Sequence, residues 1–214
     1  MSRAIAIMGE SGSGKTTAMR TLNPDETYYI DCDGKGLSWK GWRNQYNAEK
    51  KNYLRTDNQN DVLAVMRGIS DKRPNIKNIV IDTINSIMIA DERRRQAEKN
   101  YDKWSDLAWA VYDITLAASR LRDDLNIIVL AHTQTEVDDT TGERFTRILT
   151  NGKKLNKIGL EKYFTTVLLT KKTADGFVCE TTANKSTAKS PMGAFETDEV
   201  PNDMQMVLNA LAEF

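Results

Sequence analysis

A glycine-rich octapeptide near the start of the chain is the feature that most restricts how this sequence can fold. Residues 9–16 read Gly-Glu-Ser-Gly-Ser-Gly-Lys-Thr and match the pattern G-x-x-x-x-G-K-[ST] at every defined position. The apolar run Arg3–Met8 predicts a buried strand before the octapeptide, and a helical pattern follows it from Lys15 to about Leu22. Between a strand and a helix, such a loop can wrap round a phosphate so that several backbone N–H groups point at its oxygens. The sequence therefore predicts a phosphate-binding loop.

The side chains of this loop have separate predicted roles. We expect Lys15 to reach the β- and γ-phosphates of a nucleoside triphosphate, and the Thr16 hydroxyl to coordinate Mg²⁺. The predicted nucleotide-binding residues are Gly9, Glu10, Ser11, Gly12, Ser13, Gly14, Lys15, Thr16 and Thr17.

Carboxylates end two of the predicted buried strands. Asp82 ends Asn78–Asp82, where it can reach the Mg²⁺ shell; the alternative is that it caps the next helix. Asp31 and Asp33 lie at the end of Thr27–Cys32, close to the γ-phosphate if that strand belongs to the same sheet. Asp33, or in its place Asp31, would then polarise the attacking water. The alternative is that both only form a turn, because an Asp-Gly pair is a strong turn signal.

Strand and helix patterns alternate along most of the chain. Continuous apolar runs such as Asn78–Asp82 and Asn126–Ala131 predict buried parallel strands, with helical spacing between them. Tyr163–Thr170 and Phe177–Thr182 flank an Asp-Gly pair, which predicts a β-hairpin. The predicted fold class is α/β, with a mostly parallel central sheet flanked by helices and an antiparallel hairpin at the C-terminal edge. We expect a single core domain over residues 1–214.

Charge and residue counts exclude several other classes of protein. Lys plus Arg and Asp plus Glu each number 30, so the chain cannot hold nucleic acid by bulk charge, although a local basic patch remains open. Two cysteines, Cys32 and Cys179, and one histidine, His132, are too few for a disulfide framework, a structural zinc site or a multi-histidine metal site. We find neither a secretory signal nor an apolar run of the roughly 18–20 residues that cross a bilayer, and we expect a cytoplasmic protein without membrane partners.

A long polar segment, residues 135–157, is the predicted surface for single-stranded DNA. It places Phe145 among cations, and an aromatic ring among cations suits bases that stack while the charges follow the phosphates. The alternative is a solvated hairpin. The predicted contacts are Arg144, Phe145, Arg147, Lys153, Lys154 and Lys157. A second basic run, Arg93–Arg95, is interleaved with acids and is more typical of a solvated helix face.

Missing motifs test which class of phosphate-loop protein this is. A small GTPase needs the base-reading motif N-K-x-D, and Asn184–Thr187 lacks its aspartate. A helicase needs more chain for its translocating parts, and the predicted C-terminal hairpin argues against the helical lid that normally follows the sheet in AAA+ proteins. A nucleotide kinase stays open, because Arg93–Arg95 can mimic an arginine-rich lid.

The order of the remaining motifs resembles that of the RecA-like ATPases. Asp31 and Asp33 resemble the acidic element that ends their second strand, and Ile81–Ile84 resembles their Walker B segment. Ile128–Gln134 resembles the strand that ends in a polar sensor before their DNA-binding loop, and Thr181–Lys189 resembles the segment that presents cations across a subunit interface. The pattern is similar to phage-encoded proteins with a bare RecA core, a group that includes ATP-dependent single-strand annealing proteins.

This resemblance implies an ATPase that uses Mg²⁺, is stimulated by single-stranded DNA, and promotes annealing or strand pairing in phage recombination. It implies a homo-oligomer in the host cytoplasm with ATP sites at subunit interfaces, and a single-strand-binding protein is a further candidate partner. The expected catalytic residues are Lys15, Asp33, Asp82, His132, Gln134, Lys185 and Lys189, the last two acting in trans. The alternatives are that His132 is a core or DNA-facing histidine and that the two lysines are only solvated. Two other functions stay open: a small-molecule or nucleotide kinase, and a non-catalytic switch that uses ATP to set an assembly state.

Overall fold

A mostly parallel β-sheet forms the centre of the computed structural model, which describes residues 2–98, 102–137, 141–150 and 159–214. The strands are β1 (Arg3–Gly9), β2 (Thr27–Asp31), β3 (Tyr53–Arg55), β4 (Asn78–Asp82), β5 (Asn126–Val137), β6 (Arg144–Ile148), β7 (Thr166–Thr173), β8 (Gly176–Glu180) and β9 (Glu199–Pro201). Their order in the sheet is β3-β2-β4-β5-β1-β7-β8-β9, and β6 pairs with β5. Neighbours from β3 to β7 run parallel, whereas β8 is antiparallel to both β7 and β9.

Helices cover both faces of this sheet. They are α1 (Lys15–Ala18), α2 (Trp42–Gln45), α3 (Gln59–Lys72), α4 (Ile84–Arg94), α5 (Asp102–Ala118) and α6 (Met204–Ala210), with 3₁₀ turns at Met19–Thr21 and Leu160–Tyr163. Side chains of β1 alternate between the faces: Ala4, Ala6 and Met8 pack with α3, α4 and α5, while Ile5 and Ile7 pack with α1 and α6. Because both faces are buried, the parallel strands read as continuous apolar runs.

The carboxyl ends of the parallel strands meet at one edge of the sheet. In register, Asp31 lies opposite Asp82, Asp82 opposite Leu130, and Gly9 opposite His132. The phosphate loop leaves β1 between β5 and β7, so the residues that end these strands surround it.

The α/β class, the parallel sheet and the antiparallel C-terminal edge are confirmed, but the segment after His132 differs from its predicted form. The strand predicted to end at Ala131 continues to Val137 and pairs antiparallel with β6, which agrees with the hairpin alternative for residues 135–157. Residues 132–136 of this extension are all polar and none is buried, so no apolar periodicity marks it as a strand. Lys153, Lys154 and Lys157 lie outside the described residues. Within the described ranges, no helix combines the length and apolar character needed to cross a membrane.

Candidate nucleotide-binding site

Gly14 holds the phosphate loop in a left-handed backbone conformation, with φ of +99°. A Cβ atom there would lie 2.8 Å from both the Phe177 ring and the Asn202 amide, so the position needs glycine for its conformation and for its space. The Asn202 amide donates to the Gly14 carbonyl at 3.0 Å, and the Asn202 N–H donates to the Phe177 carbonyl. The C-terminal strands therefore support the loop.

The Lys15 side chain is buried within the phosphate loop. Its ammonium donates to the carbonyls of Gly9 and Glu10, both at 2.8 Å, and lies 3.5 Å from Nδ1 of His132. Burial lowers the pKa of Lys15 to about 8, although the Asp82 carboxylate opposes this shift. A bound phosphate would supply the negative charge that this buried ammonium needs.

Asp82 carries the oxygen that best fits a metal ion. Its Oδ2 accepts hydrogen bonds from the Thr16 hydroxyl at 2.8 Å and from the Tyr29 hydroxyl at 2.6 Å. Its Oδ1 is buried and has no hydrogen-bond partner among the residues that the structure describes. Burial raises the pKa of Asp82, and the bonds from Tyr29 and Thr16 oppose the rise. A hydroxyl beside a carboxylate oxygen is the donor set that Mg²⁺ prefers, so Thr16 and Asp82 would hold this ion.

Asp33 and Asp31 have different environments at the end of β2. Oδ1 of Asp33 accepts from the Thr83 N–H at 3.2 Å, the Thr83 hydroxyl at 2.8 Å and the Ser86 hydroxyl, and Oδ2 pairs with Lys35. Burial alone would raise the pKa of Asp33, but the bonds from Lys35, Ser86 and Thr83 outweigh it and lower the pKa to about 2.

Asp31 instead makes the contacts of a turn. It accepts the N–H groups of Gly34 and Gly36, both at 2.8 Å, and the Tyr53 hydroxyl at 2.7 Å. These bonds fix the loop that carries Asp33 and Lys35; Lys35 lines the cleft beside the phosphate loop, whereas Asp33 is not among the described residues of that lining.

A cleft of about 320 Å³ opens beside the phosphate loop. It is lined by Ser11, Gly12, Gly14, Lys15, Thr16, Thr17, Lys35, Ser38, Asp82, Thr83, His132 and Phe177. Sequence patterns had not predicted Lys35, Ser38 or Phe177. Lys35 is two residues beyond Asp33 and Phe177 follows the hairpin Asp-Gly, but neither position is marked by a motif.

Residues 1–192 match the protein-family model described as AAA domain. The chain belongs to the AAA domain family. The match contains the phosphate loop, Asp82 and β1 to β8, and it ends before β9 and α6. This AAA domain is thus an ATP-binding phosphate-loop protein. No curated protein matches the chain.

Among solved structures, the AAA domain is similar to one titled "Crystal structure of the RadB recombinase". The two chains share 15% identity, the alignment covers 83% of this chain and 79% of the other, and the TM-score is 0.47. The helical lid expected of AAA+ proteins is not seen in the described residues after β7, which form β8, β9 and the short helix α6.

The two candidate γ-phosphate sensors of the AAA domain, His132 and Gln134, contact different residues. The His132 ring lies at Lys15, and burial together with the Lys15 charge lowers the pKa of His132. Neutral His132 would therefore act as a hydrogen-bonding group toward a γ-phosphate. The Gln134 amide donates to Glu136 at 2.7 Å, and Gln134 is absent from the described lining of the cleft.

The predicted DNA contacts of the AAA domain separate into two kinds. Arg144 is exposed, and the Phe145 side chain is 37% exposed. Arg147, which was expected to contact DNA, is instead largely buried and lies 3.6 Å from Glu136 and 3.5 Å from Glu161. An arginine held between two carboxylates is engaged in the fold, so its placement does not match an exposed phosphate contact.

The two candidate trans lysines of the AAA domain follow the hairpin β7–β8, and neither lines its own cleft as described. Lys185 is exposed, and its carbonyl accepts the Thr146 N–H at 2.8 Å, which joins this segment to β6. Lys189 is half-buried; burial lowers its pKa, and Glu161 opposes that shift.

Proposed function

We propose that this AAA domain is a RecA-like ATPase that binds single-stranded DNA and promotes annealing or strand pairing in phage recombination. One observation carries the proposal: β5 runs unbroken from the ATP cleft, where His132 meets Lys15, to the arm it forms with β6, where Arg144 and Phe145 are exposed. Because one strand contacts both the cleft and the proposed DNA surface, ATP binding can change the position of that surface. The RadB title names a recombinase, which agrees with this assignment.

In this proposal the loop N–H groups and Lys15 bind the phosphates. The ammonium of Lys15 would exchange its carbonyl acceptors for phosphate oxygens, and His132 would hydrogen-bond the γ-phosphate. When bound through Thr16 and Asp82, Mg²⁺ would neutralise charge on the phosphate oxygens.

Asp33 is the proposed residue that orients the attacking water and accepts its proton. With a pKa of about 2 it is a weak base, because Lys35 and two hydroxyl groups already bind its oxygens. General bases work best when their pKa lies near the working pH. We therefore expect slow hydrolysis unless the γ-phosphate of bound ATP draws Lys35 away from Asp33.

We propose a homo-oligomer in which Lys185 and Lys189 reach the ATP cleft of a neighbour. A cation that arrives from outside can stabilise charge on the transferring phosphoryl group. Both lysines lie on a segment joined to β6, so the same neighbour contact would also position the DNA arm. A single-strand-binding protein is a further proposed partner.

The ATPase rate with and without single-stranded DNA tests this function. We expect DNA to raise the rate, and Lys15→Ala to abolish turnover in both conditions. Phosphate transfer to a small acceptor, with no response to DNA, would favour a kinase. Nucleotide binding with negligible turnover and no DNA binding would favour an assembly switch.

A further inference from the structure

Asn85 is a buried residue in the first turn of α4, and in the described part of the chain its side chain bonds to backbone groups at the base of the β5–β6 arm. Its Oδ1 accepts the His132 N–H and its Nδ2 donates to the Leu149 carbonyl, both at 2.7 Å. The Leu149 N–H in turn donates to the His132 carbonyl at 2.7 Å. The Asn85 amide therefore closes the base of the β5–β6 arm, where the arm leaves the sheet.

This amide fills a gap between two partner strands of β5. Leu130 is the last β5 residue that pairs with β4, and Thr133 is the first that pairs with β6. His132 lies between them, so its N–H would have no neighbouring strand on that side. Asn85 takes the place of the missing strand and satisfies one group on each side of the junction.

The backbone that carries Asn85 is tied to the nucleotide site. Asp82, three residues earlier, bonds to Thr16. Thr83 and Ser86, on either side of Asn85, both donate to Asp33. His132, which Asn85 holds by its N–H, directs its ring at Lys15. A single side chain thus joins the metal-side strand, the sensor and the base of the arm.

We propose that Asn85 is a positioning residue that couples nucleotide occupancy to the β5–β6 arm; this inference rests on the proposed function. When a γ-phosphate changes the contacts of Asp33 or His132, the start of α4 and His132 shift relative to each other. Two short hydrogen bonds from one amide pass that shift to Leu149 and therefore to β6. The same path must work in reverse, because coupling between two binding sites is reciprocal.

The test measures the coupling in both directions. Affinity for a labelled single-stranded oligonucleotide is determined with and without a non-hydrolysable ATP analogue, and analogue affinity is determined with and without the oligonucleotide. Couplings of this kind commonly change affinity by roughly 5–150-fold. In Asn85→Asp the oxygen that accepts His132 remains and the donor to Leu149 is lost, so we expect both ratios to fall together toward one while each ligand still binds alone.

Asn52→Asp is the matched control. Asn52 is also buried, its amide donates to the carbonyls of Pro24 and Gln45, and it accepts the Asn47 N–H, but it lies before β3, outside the arm. This variant should keep the wild-type ratio. If Asn85→Asp does not fold, Asn85→Ser, which is too short to join both backbone groups, takes its place.

The outcomes separate this inference from the function on which it rests. A wild-type protein that ignores the oligonucleotide, or binds it equally with and without the analogue, overturns the proposed function. A wild-type protein that couples the two ligands, with an Asn85 variant that couples them equally well, overturns only the role of Asn85.

Discussion

At the scale of single residues, the protonation state of Lys15 should make the affinity for nucleotide depend on pH. Because its pKa is about 8, the ammonium is mostly charged at pH 7 and loses its proton as the pH rises through 8. Bound phosphates raise this pKa, because negative charge favours the ammonium. Nucleotide affinity should therefore stay level below pH 8 and fall by about tenfold per pH unit above it, until the pKa of the bound state is reached.

Calorimetric titration with ATP from pH 7.5 to about 9.5 would measure this slope. Lys15→Arg is the matched control, since a guanidinium stays protonated across that range, and its affinity should not change with pH. An equal slope in both proteins would assign the titration to another group.

The carboxylates Asp82 and Asp33 should give different signatures when each is changed to asparagine. Asp82→Asn removes the charge beside Thr16, so Mg²⁺ should lose most of its effect on ATP affinity. Asp33→Asn should bind Mg·ATP as the wild type does but hydrolyse it about 100-fold more slowly, the low end for a general base, because its pKa of about 2 makes it a weak one. Mg²⁺ titrations and single-turnover assays check the two, and normal single-turnover hydrolysis by Asp33→Asn would remove it as the base.

The residues of the phosphate loop could be predicted because a local sequence pattern determines their geometry. Lys15 and Thr16 are the last two residues of the octapeptide, and Asp82 was placed because it ends a buried parallel strand. Tyr29, Asn85 and Phe177 reach the same site through strand register and helix packing. Such contacts join distant parts of the chain, and a single sequence does not encode them in any spacing.

At the scale of elements, the β5–β6 arm combines an exposed surface with a buried anchor. Phe145→Ala should weaken binding of single-stranded DNA by about 1–3 kcal/mol through lost stacking, and Arg144→Ala should reduce the salt slope by about 0.7. Neither should change the free energy of unfolding. Arg147→Ala should instead lower that free energy by about 1–3 kcal/mol, because the buried Glu161 carboxylate loses its guanidinium partner and keeps only neutral donors such as the Ile148 N–H.

Oligonucleotide titrations at several salt concentrations and chemical denaturation would separate these effects. Arg120→Ala is the control, an exposed arginine just beyond α5 and remote from the arm. Wild-type DNA affinity and salt slope in the Arg144 and Phe145 variants would exclude the arm as the DNA site.

Local periodicity explains which elements could be predicted. The buried strands and the hairpin β7–β8 carry apolar runs or a turn signal, and they were found. The arm could not be predicted in this way, because residues 132–137 of β5 and most of β6 lie outside the core and show no apolar period. The three-residue strand β9 is too short to show a period.

At the scale of the whole molecule, the proposed role of Lys185 in the ATP site of a neighbouring subunit can be tested by mixing variants. A Lys185→Ala subunit has an intact phosphate loop, and a Lys15→Ala subunit has an intact Lys185. Each variant alone should hydrolyse ATP poorly, and mixing them should restore part of the activity, since one interface in the mixture combines both intact parts. ATPase assays over a range of mixing ratios check this. Full activity of Lys185→Ala alone, with no gain on mixing, would place Lys185 outside catalysis.

The bond between Asn202 and Gly14 also has a consequence for the order in which the protein is made. The two residues are 188 positions apart, and β1 lies between two strands, β5 and β7, that are synthesised much later. Strand β1 therefore leaves the ribosome well before the two strands that enclose it, and its phosphate loop gains its final support only when residue 202 has been translated. Nucleotide binding should therefore become possible only after residue 202 has been translated, and the apolar strand β1 needs protection from aggregation until then.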